Sequence, residues 1–274
     1  MKKEKNVMKK ILASLLTASL LVSVSCTVMA ETPLEKIQAA GKIKVGTEAT
    51  YPPYEYLDDN AEMVGCDIWL AKQIAEAIGV ELEMVDMGFD GIIPAVASGQ
   101  IDMGLAAFTV TPERAEVIDF SNQYEVSRQL LIVKAGNASV YADKESLSGL
   151  KVGAQLGTIQ SNLVESALPD CELFELPTYP ELGLETINGN IAGFVVDSAV
   201  GESMVAASNG DLEVSEFEFT AEEASFGKAA VLKKESADLL DAVNEVIDRV
   251  VEDGSYQAAY DEAVAASGVE EAEE

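Results

Sequence analysis

Apolar residues recur along this chain with two periods in turn. In residues 43–46, 82–85 and 101–108 they form short runs of strand length. Between those runs Ile68, Ala71, Ala75 and Ile78 line one face of a helix that Asp67 is placed to cap. Residues 92–98 read as a second helix. The succession then returns, with strands at 151–154, near Leu173 and at 191–196, and helices over 159–167, 182–188 and onward from Ser198. Strands and helices alternating in this way predict an α/β fold with largely parallel sheets.

Two short matches fit one design used twice, though neither is long enough to imply a duplication by itself. Lys44-Val45-Gly46 recurs as Lys151-Val152-Gly153, and Ser98-Gly99-Gln100-Ile101 recurs as Asn188-Gly189-Asn190-Ile191 before another apolar strand. Residues 129–133 read as the crossover from the first half to the second, and residues 229–232 as the return. After the return, Leu239, Leu240, Val243, Val246, Ile247, Val250 and Val251 form the apolar face of a helix that Gly254 ends. Tyr256 and Tyr260 fall on a last short helix.

The first thirty residues change where the chain is expected to work. Five lysines precede an apolar run at 11–22, small residues follow, and Val28-Met29-Ala30 stands before Glu31. These are the features of a secretion leader cleaved after Ala30, and the run is too short for a permanent membrane span. Ser23-Val24-Ser25-Cys26 offers a rival processing, in which Cys26 becomes a lipidated first residue. The 274 residues carry a formal net charge of −30, and a cleaved leader would remove more positive than negative charge. Nucleic acid and anionic lipid are poor partners for such a surface. Residues 267–274 form an acidic tail, read as disordered.

Cys66 and Cys171 fall in different halves, so no disulfide is expected between them. Histidine is absent, which removes histidine-based nucleophilic catalysis and histidine metal ligation. No closely spaced cysteines or carboxylates suggest a metal site, and no cofactor is expected.

Candidate chemistry concentrates in residues 106–114, Ala-Ala-Phe-Thr-Val-Thr-Pro-Glu-Arg. An apolar strand runs into Thr109 and Thr111, with Thr111 placed as an N-cap and Pro112 as the first helical residue. Arg114 then lies in the first turn, at the positive end of the helix dipole, an odd place for a cation unless an anion sits beside it. Hydroxyls and a guanidinium at a strand end suit a carboxylate. A solvated surface arginine is the alternative. Ligands in open α/β sheets bind beyond the carboxyl ends of strands, and Glu48, Thr109, Thr158 and Asp197 all hold that position. Asp197 is equally suited to capping the helix after it.

From about Leu34 to Tyr260 the chain resembles the extracytoplasmic solute-binding proteins of ABC amino-acid importers. The likeness rests on Gly46-Thr47-Glu48-Ala49-Thr50-Tyr51-Pro52-Pro53-Tyr54-Glu55, Gly65-Cys66-Asp67-Ile68, Phe89-Asp90-Gly91-Ile92-Ile93-Pro94, the run from Ser98 to Ser121, Gln155-Leu156-Gly157-Thr158 and Val195-Val196-Asp197-Ser198, in that order and spacing. It implies two α/β lobes of the type II periplasmic-binding-protein kind, joined by two hinge strands, with ligand in the cleft between them. Lobe 1 would comprise residues 31–124 and 225–266, and lobe 2 residues 125–224. A free amino acid and an ABC permease would be the partners, the protein acting as a monomer outside the cytoplasmic membrane.

The resemblance also implies roles. Arg114 and Thr109 would hold the α-carboxylate, with the backbone of Ala107 pointing at the ligand, and Asp197 would pair with the α-ammonium. Tyr51 and Phe89 would flank the ligand side chain, near which Glu48 favours a basic or polar group over an acidic one. Gln155, Thr158 and Gln160 would contribute from lobe 2. Ile159, Cys66 and Ala192 depart from the family's pattern, Ile159 at the side-chain end of the pocket. Trp69 reads as partly exposed packing. Two other functions share this fold: a periplasmic dehydratase of cyclic amino-acid precursors, for which Glu48 is the one spare carboxylate, and a sensory protein that docks a receptor.

Overall fold

Two five-stranded sheets organise the molecule, and their strand orders match. A computed structural model describes residues 31–220 and 226–267, so the secretion leader, Cys26 and nearly all of the acidic tail lie outside the described residues. In the first sheet the order is Glu81–Asp86, Lys42–Thr47, Met103–Gly104, Val231–Lys233, Ile118–Phe120. In the second it is Glu172–Leu176, Lys151–Gln155, Gly193–Asp197, Gln129–Lys134, Leu212–Val214. The first three strands of each sheet run parallel, and the fourth is antiparallel to both its neighbours. The sequence repeats fall at equivalent places. Gly46 and Gly153 both sit on the second strand, where a methyl group would collide with Ile101 in one sheet and with Ile191 and Leu182 in the other. Gly99 and Gly189 both take φ of +75° after a helix, a conformation that favours glycine.

Most expected elements are present. The helix over Ile159–Ala167 has the expected bounds, while the helix expected at 92–98 starts earlier, at Phe89, and that expected at 182–188 is Tyr179–Ile187. Thr32 caps the helix Pro33–Ala40 in a reciprocal box with Glu35. The helix Ala237–Glu252 buries Leu239, Val243, Val246, Ile247 and Val250 but leaves Val251 exposed.

Three expectations need correction. Asp67 does not cap the helix Cys66–Ile78; Gly65 is the N-cap, and the fully buried Asp67 carboxylate instead accepts from the Ala107 N–H (2.8 Å) and the Tyr124 hydroxyl (2.9 Å). That contact accounts for the second correction. The run at 101–108 keeps only Met103–Gly104 as strand, because Ala107 turns to φ +47° where its N–H leaves the ladder for Asp67. The third concerns the crossovers. Residues 129–133 and 231–232 lie inside the sheets, with 229–230 leading in from Phe226–Lys228; the strands that pass between the sheets are Glu125–Ser127 and Phe226–Lys228, which pair antiparallel.

Candidate functional site

Carboxyl ends of strands from both sheets meet around one small cavity. Its wall includes all ten residues singled out from sequence: Glu48, Tyr51, Phe89, Ala107, Thr109, Arg114, Gln155, Thr158, Gln160 and Asp197. Glu55, Ala106, Ile159 and Lys228 complete it.

Arg114 is placed by local structure. Thr111 caps the short helix Pro112–Ala115 by accepting from the Arg114 N–H at 3.2 Å. The guanidinium lies 5.5 Å from the ring centroids of both Phe89 and Phe108, which themselves stack at 4.7 Å. Nη1 donates to the Thr109 carbonyl (2.9 Å) and Nη2 to the Gly157 carbonyl of the second sheet's side (3.1 Å). These use two of the five N–H donors. Burial lowers the pKa to about 10, so the group stays charged at neutral pH. Phe89 therefore packs against the cation as well as lining the cavity. The Ala107 N–H is committed to Asp67.

Asp197 ends the strand Gly193–Asp197 and takes the N-cap position of the next helix, but its side chain caps nothing. One oxygen accepts from Ser127 Oγ (2.6 Å) and Gln129 Nε2 (2.5 Å), the other from the Tyr51 hydroxyl (2.6 Å) and from Lys228 Nζ in a fully buried ion pair. Burial alone would raise its pKa, yet Lys228 and the hydrogen bonds outweigh that and hold the carboxyl below its usual range. Gln160 extends the network by donating to Gln129 at 2.8 Å. Tyr51 is fixed by its hydroxyl bond and by the neighbouring rings of Tyr54 and Tyr179, at 5.8 and 5.2 Å.

Glu48 is buried, accepting from Thr50 Oγ1 on one oxygen and from Gln155 Nε2 on the other at 3.2 Å. Desolvation raises its pKa to about 7 against those two bonds. Gln155 also donates to the Pro177 carbonyl (2.8 Å), and Thr158 Oγ1 donates to the Gln155 carbonyl (2.6 Å). Ile159 reaches the cavity with one small exposed edge.

Sequence reasoning missed Lys228 and Glu55. Lys228 heads an apolar run and reads as its polar boundary, while tertiary folding buries it. Glu55 pairs directly opposite Tyr51 in the hairpin of Thr50–Tyr51 and Glu55–Leu57, so both side chains share a face. That pairing was the available signal.

The chain belongs to the bacterial extracellular solute-binding proteins, family 3, whose model matches residues 43–265. It is 30% identical to the L-cystine-binding protein TcyJ of Escherichia coli (strain K12), over 82% of this chain and 83% of that one. It is 32% identical to the arginine-binding extracellular protein ArtP of Bacillus subtilis (strain 168), over 79% and 83%. The crystal structure of AbpA, an amino-acid ABC transporter substrate-binding protein of Streptococcus pneumoniae bound to L-arginine, superposes with a TM-score of 0.82 and 32% identity. The match covers 86% of this chain and all of that one. Among the described residues no helix is long and apolar enough to cross a membrane, and no group of three or more histidine, cysteine or acidic side chains could hold a metal.

Proposed function

We propose that this chain binds a free L-amino acid in the cavity and delivers it to an ABC permease, acting as a monomer outside the cytoplasmic membrane. The observation that carries this reading is the division of charge around one small enclosure. Arg114 stands with Thr109 on the wall, which also carries the acidic groups Asp197, Glu48 and Glu55, of these Asp197 being paired with Lys228. A zwitterion with a polar or basic side chain satisfies both. Arg114 and Thr109 take the α-carboxylate, acidic groups including Asp197 face the α-ammonium, and Glu48 with Gln155 and Thr158 receives the side chain. Tyr51, Phe89, Gln160 and the Ala107 backbone complete the enclosure.

In this reading residues 31–124 with 225–266 make lobe 1, and 125–224 make lobe 2, the ligand joining them. A ligand shifts an opening equilibrium only through better contacts in the closed state, and one whose charges are claimed by two lobes makes those contacts only there. Cleavage after Ala30 would free the protein, whereas lipidation at Cys26 would tether it.

Thermal unfolding of the protein against the twenty L-amino acids and cystine, with Arg114→Ala in parallel, tests the reading. A ligand at ~1,000 times its dissociation constant adds about 4 kcal/mol to stability. One or a few stabilising amino acids, lost in Arg114→Ala, are expected, with aspartate and glutamate inactive because Glu48 opposes a second carboxylate. A folded protein stabilised by none would overturn it.

A further inference from the structure

The cavity's fixed charges do not cancel one another, and the remainder points to a residue. Its wall carries two cations, Arg114 and Lys228, and three carboxylates, Glu48, Glu55 and Asp197. Lys228 is matched to Asp197 in a buried pair, and Asp197 has three further donors on its two oxygens. An ammonium arriving there meets a carboxylate that is already neutralised and fully hydrogen-bonded. Arg114 has donors left for an anion. Glu48 has partners, both neutral side chains. Glu55 is different: it is 1% exposed, lines the cavity, and its Oε2 is shut off from water with no hydrogen-bond partner. A buried carboxylate oxygen without a donor is costly unless something supplies one.

Resting on the amino-acid reading above, we propose that Glu55 is the carboxylate that receives the ligand's α-ammonium, beside an Asp197 held by Lys228. The hairpin register puts Glu55 on the same face as Tyr51, whose hydroxyl touches Asp197, so the ammonium can bind Glu55 without leaving the neighbourhood of that network. With Lys228 matched to Asp197 and Arg114 to the ligand carboxylate, two acidic groups remain for two cationic ones: Glu55 for the α-ammonium and Glu48 for a charged side chain. The site thereby selects a dibasic head-and-tail pattern over a simple zwitterion. Desolvation and the neighbouring Asp67, Glu48 and Asp197 push the Glu55 pKa well up, with Lys228 acting against them, and an arriving ammonium favours the ionised form. Ammonium binding would then release a proton.

The test uses the full chain with L-arginine, L-lysine, L-histidine, L-glutamine and L-cystine, each titrated calorimetrically into wild type, Glu55→Gln and Glu55→Asp. For L-arginine a further arm uses 5-guanidinopentanoate, the same molecule without its α-amino group. Glu55→Gln is expected to weaken the binding amino acid at least tenfold, Glu55→Asp less, and Glu55→Gln to leave the deaminated analogue's affinity within twofold. Proton release, read from titrations in two buffers of different ionisation enthalpy, should fall in Glu55→Gln. Should Glu55→Gln fold poorly, the charge-retaining Glu55→Asp and the wild-type proton count carry the test. Wild-type binding of an amino acid that Glu55→Gln changes by less than twofold overturns this inference and leaves the amino-acid reading standing. Equal weakening of L-arginine and its deaminated analogue also overturns it. Wild type binding none of the five overturns this inference, and only a folded protein that binds none of the twenty L-amino acids or cystine overturns the amino-acid reading as well.

Discussion

At the scale of single residues, the buried Lys228–Asp197 pair is the most consequential contact. Removing one partner leaves the other charge buried and uncompensated, which costs about 3–5 kcal/mol. Lys228→Met and Asp197→Asn are each expected to lower the unfolding free energy from urea denaturation by an amount in that range, and the double variant by less than the sum. Their near-additivity in chemical denaturation would show that the pair does not act as a unit. Protonation enters at the same scale. Burial raises Glu48 and Glu125 to about 7 and Asp67 to about 6. Their unfolded values lie near 4, so between those limits the folded state binds more protons than the unfolded one and stability falls as pH rises. The contribution is fully present below about pH 4 and is lost through pH 6–7. Ligand-free protein should accordingly melt a few degrees higher at pH 5.5 than at pH 8. A cationic ligand pulls the other way, since ionised Glu48 suits it, so the gap narrows when such a ligand is added.

Among the elements, close packing sets the tolerances. Gly193 stands where a methyl group would strike the Ile132 carbonyl oxygen on the adjacent strand, and backbone has little room to yield. Gly193→Ala should be destabilising by at least ~1 kcal/mol in equilibrium unfolding, in line with overpacked cores. The helix Ala237–Glu252 makes the complementary case. Ile247→Ala removes a fully buried side chain and should cost roughly 2–5 kcal/mol, whereas Val251→Ala, 46% exposed, should fall within about 0.5 kcal/mol. Sequence periodicity placed both on the apolar face. A helix has one stripe in the pattern, but the neighbouring helix and sheet decide how far round that stripe is covered.

For the whole molecule, hydrogen bonds cross between the two sheets' ends at Arg114–Gly157, Tyr51–Asp197 and Gln155–Glu48. All involve cavity residues, so occupying the cavity and holding the halves together are linked. Small-angle scattering is expected to show a smaller radius of gyration with a saturating amino-acid ligand than without it. No change in a binding-competent sample would separate binding from closure. The acidic surface, with a formal net charge of −30 over the chain, makes high-salt retention on nucleic-acid resins an unexpected outcome.

Legibility divided along physical lines. Alternation of apolar runs with helical stripes, the Thr111-Pro112 helix start and the paired glycines are local or repeat at short range, so the α/β fold and the matched halves could be read from the chain. All ten expected site residues line one cavity. Glu48, Thr109, Thr158 and Asp197 were readable as strand-end positions, where open sheets converge ligand groups, and Arg114 as a cation in a first helical turn. The other five came from the family resemblance. The partners of those residues were not readable. Asp67 looked like a cap and proved to hold Ala107 from across the fold, 40 residues away in sequence. Residues 101–108 looked like one strand and were broken by that bond. Lys228 looked like the edge of an apolar run until folding set it against Asp197, 31 residues earlier. By itself the sequence determined the succession of elements and which residues stand at strand ends, because steric and hydrophobic preferences act over a few neighbours. Only the tertiary structure decided which charges neutralise one another and which carboxylate is left without a partner. Electrostatic matching depends on distance and desolvation in space, and neither is written in the order of residues.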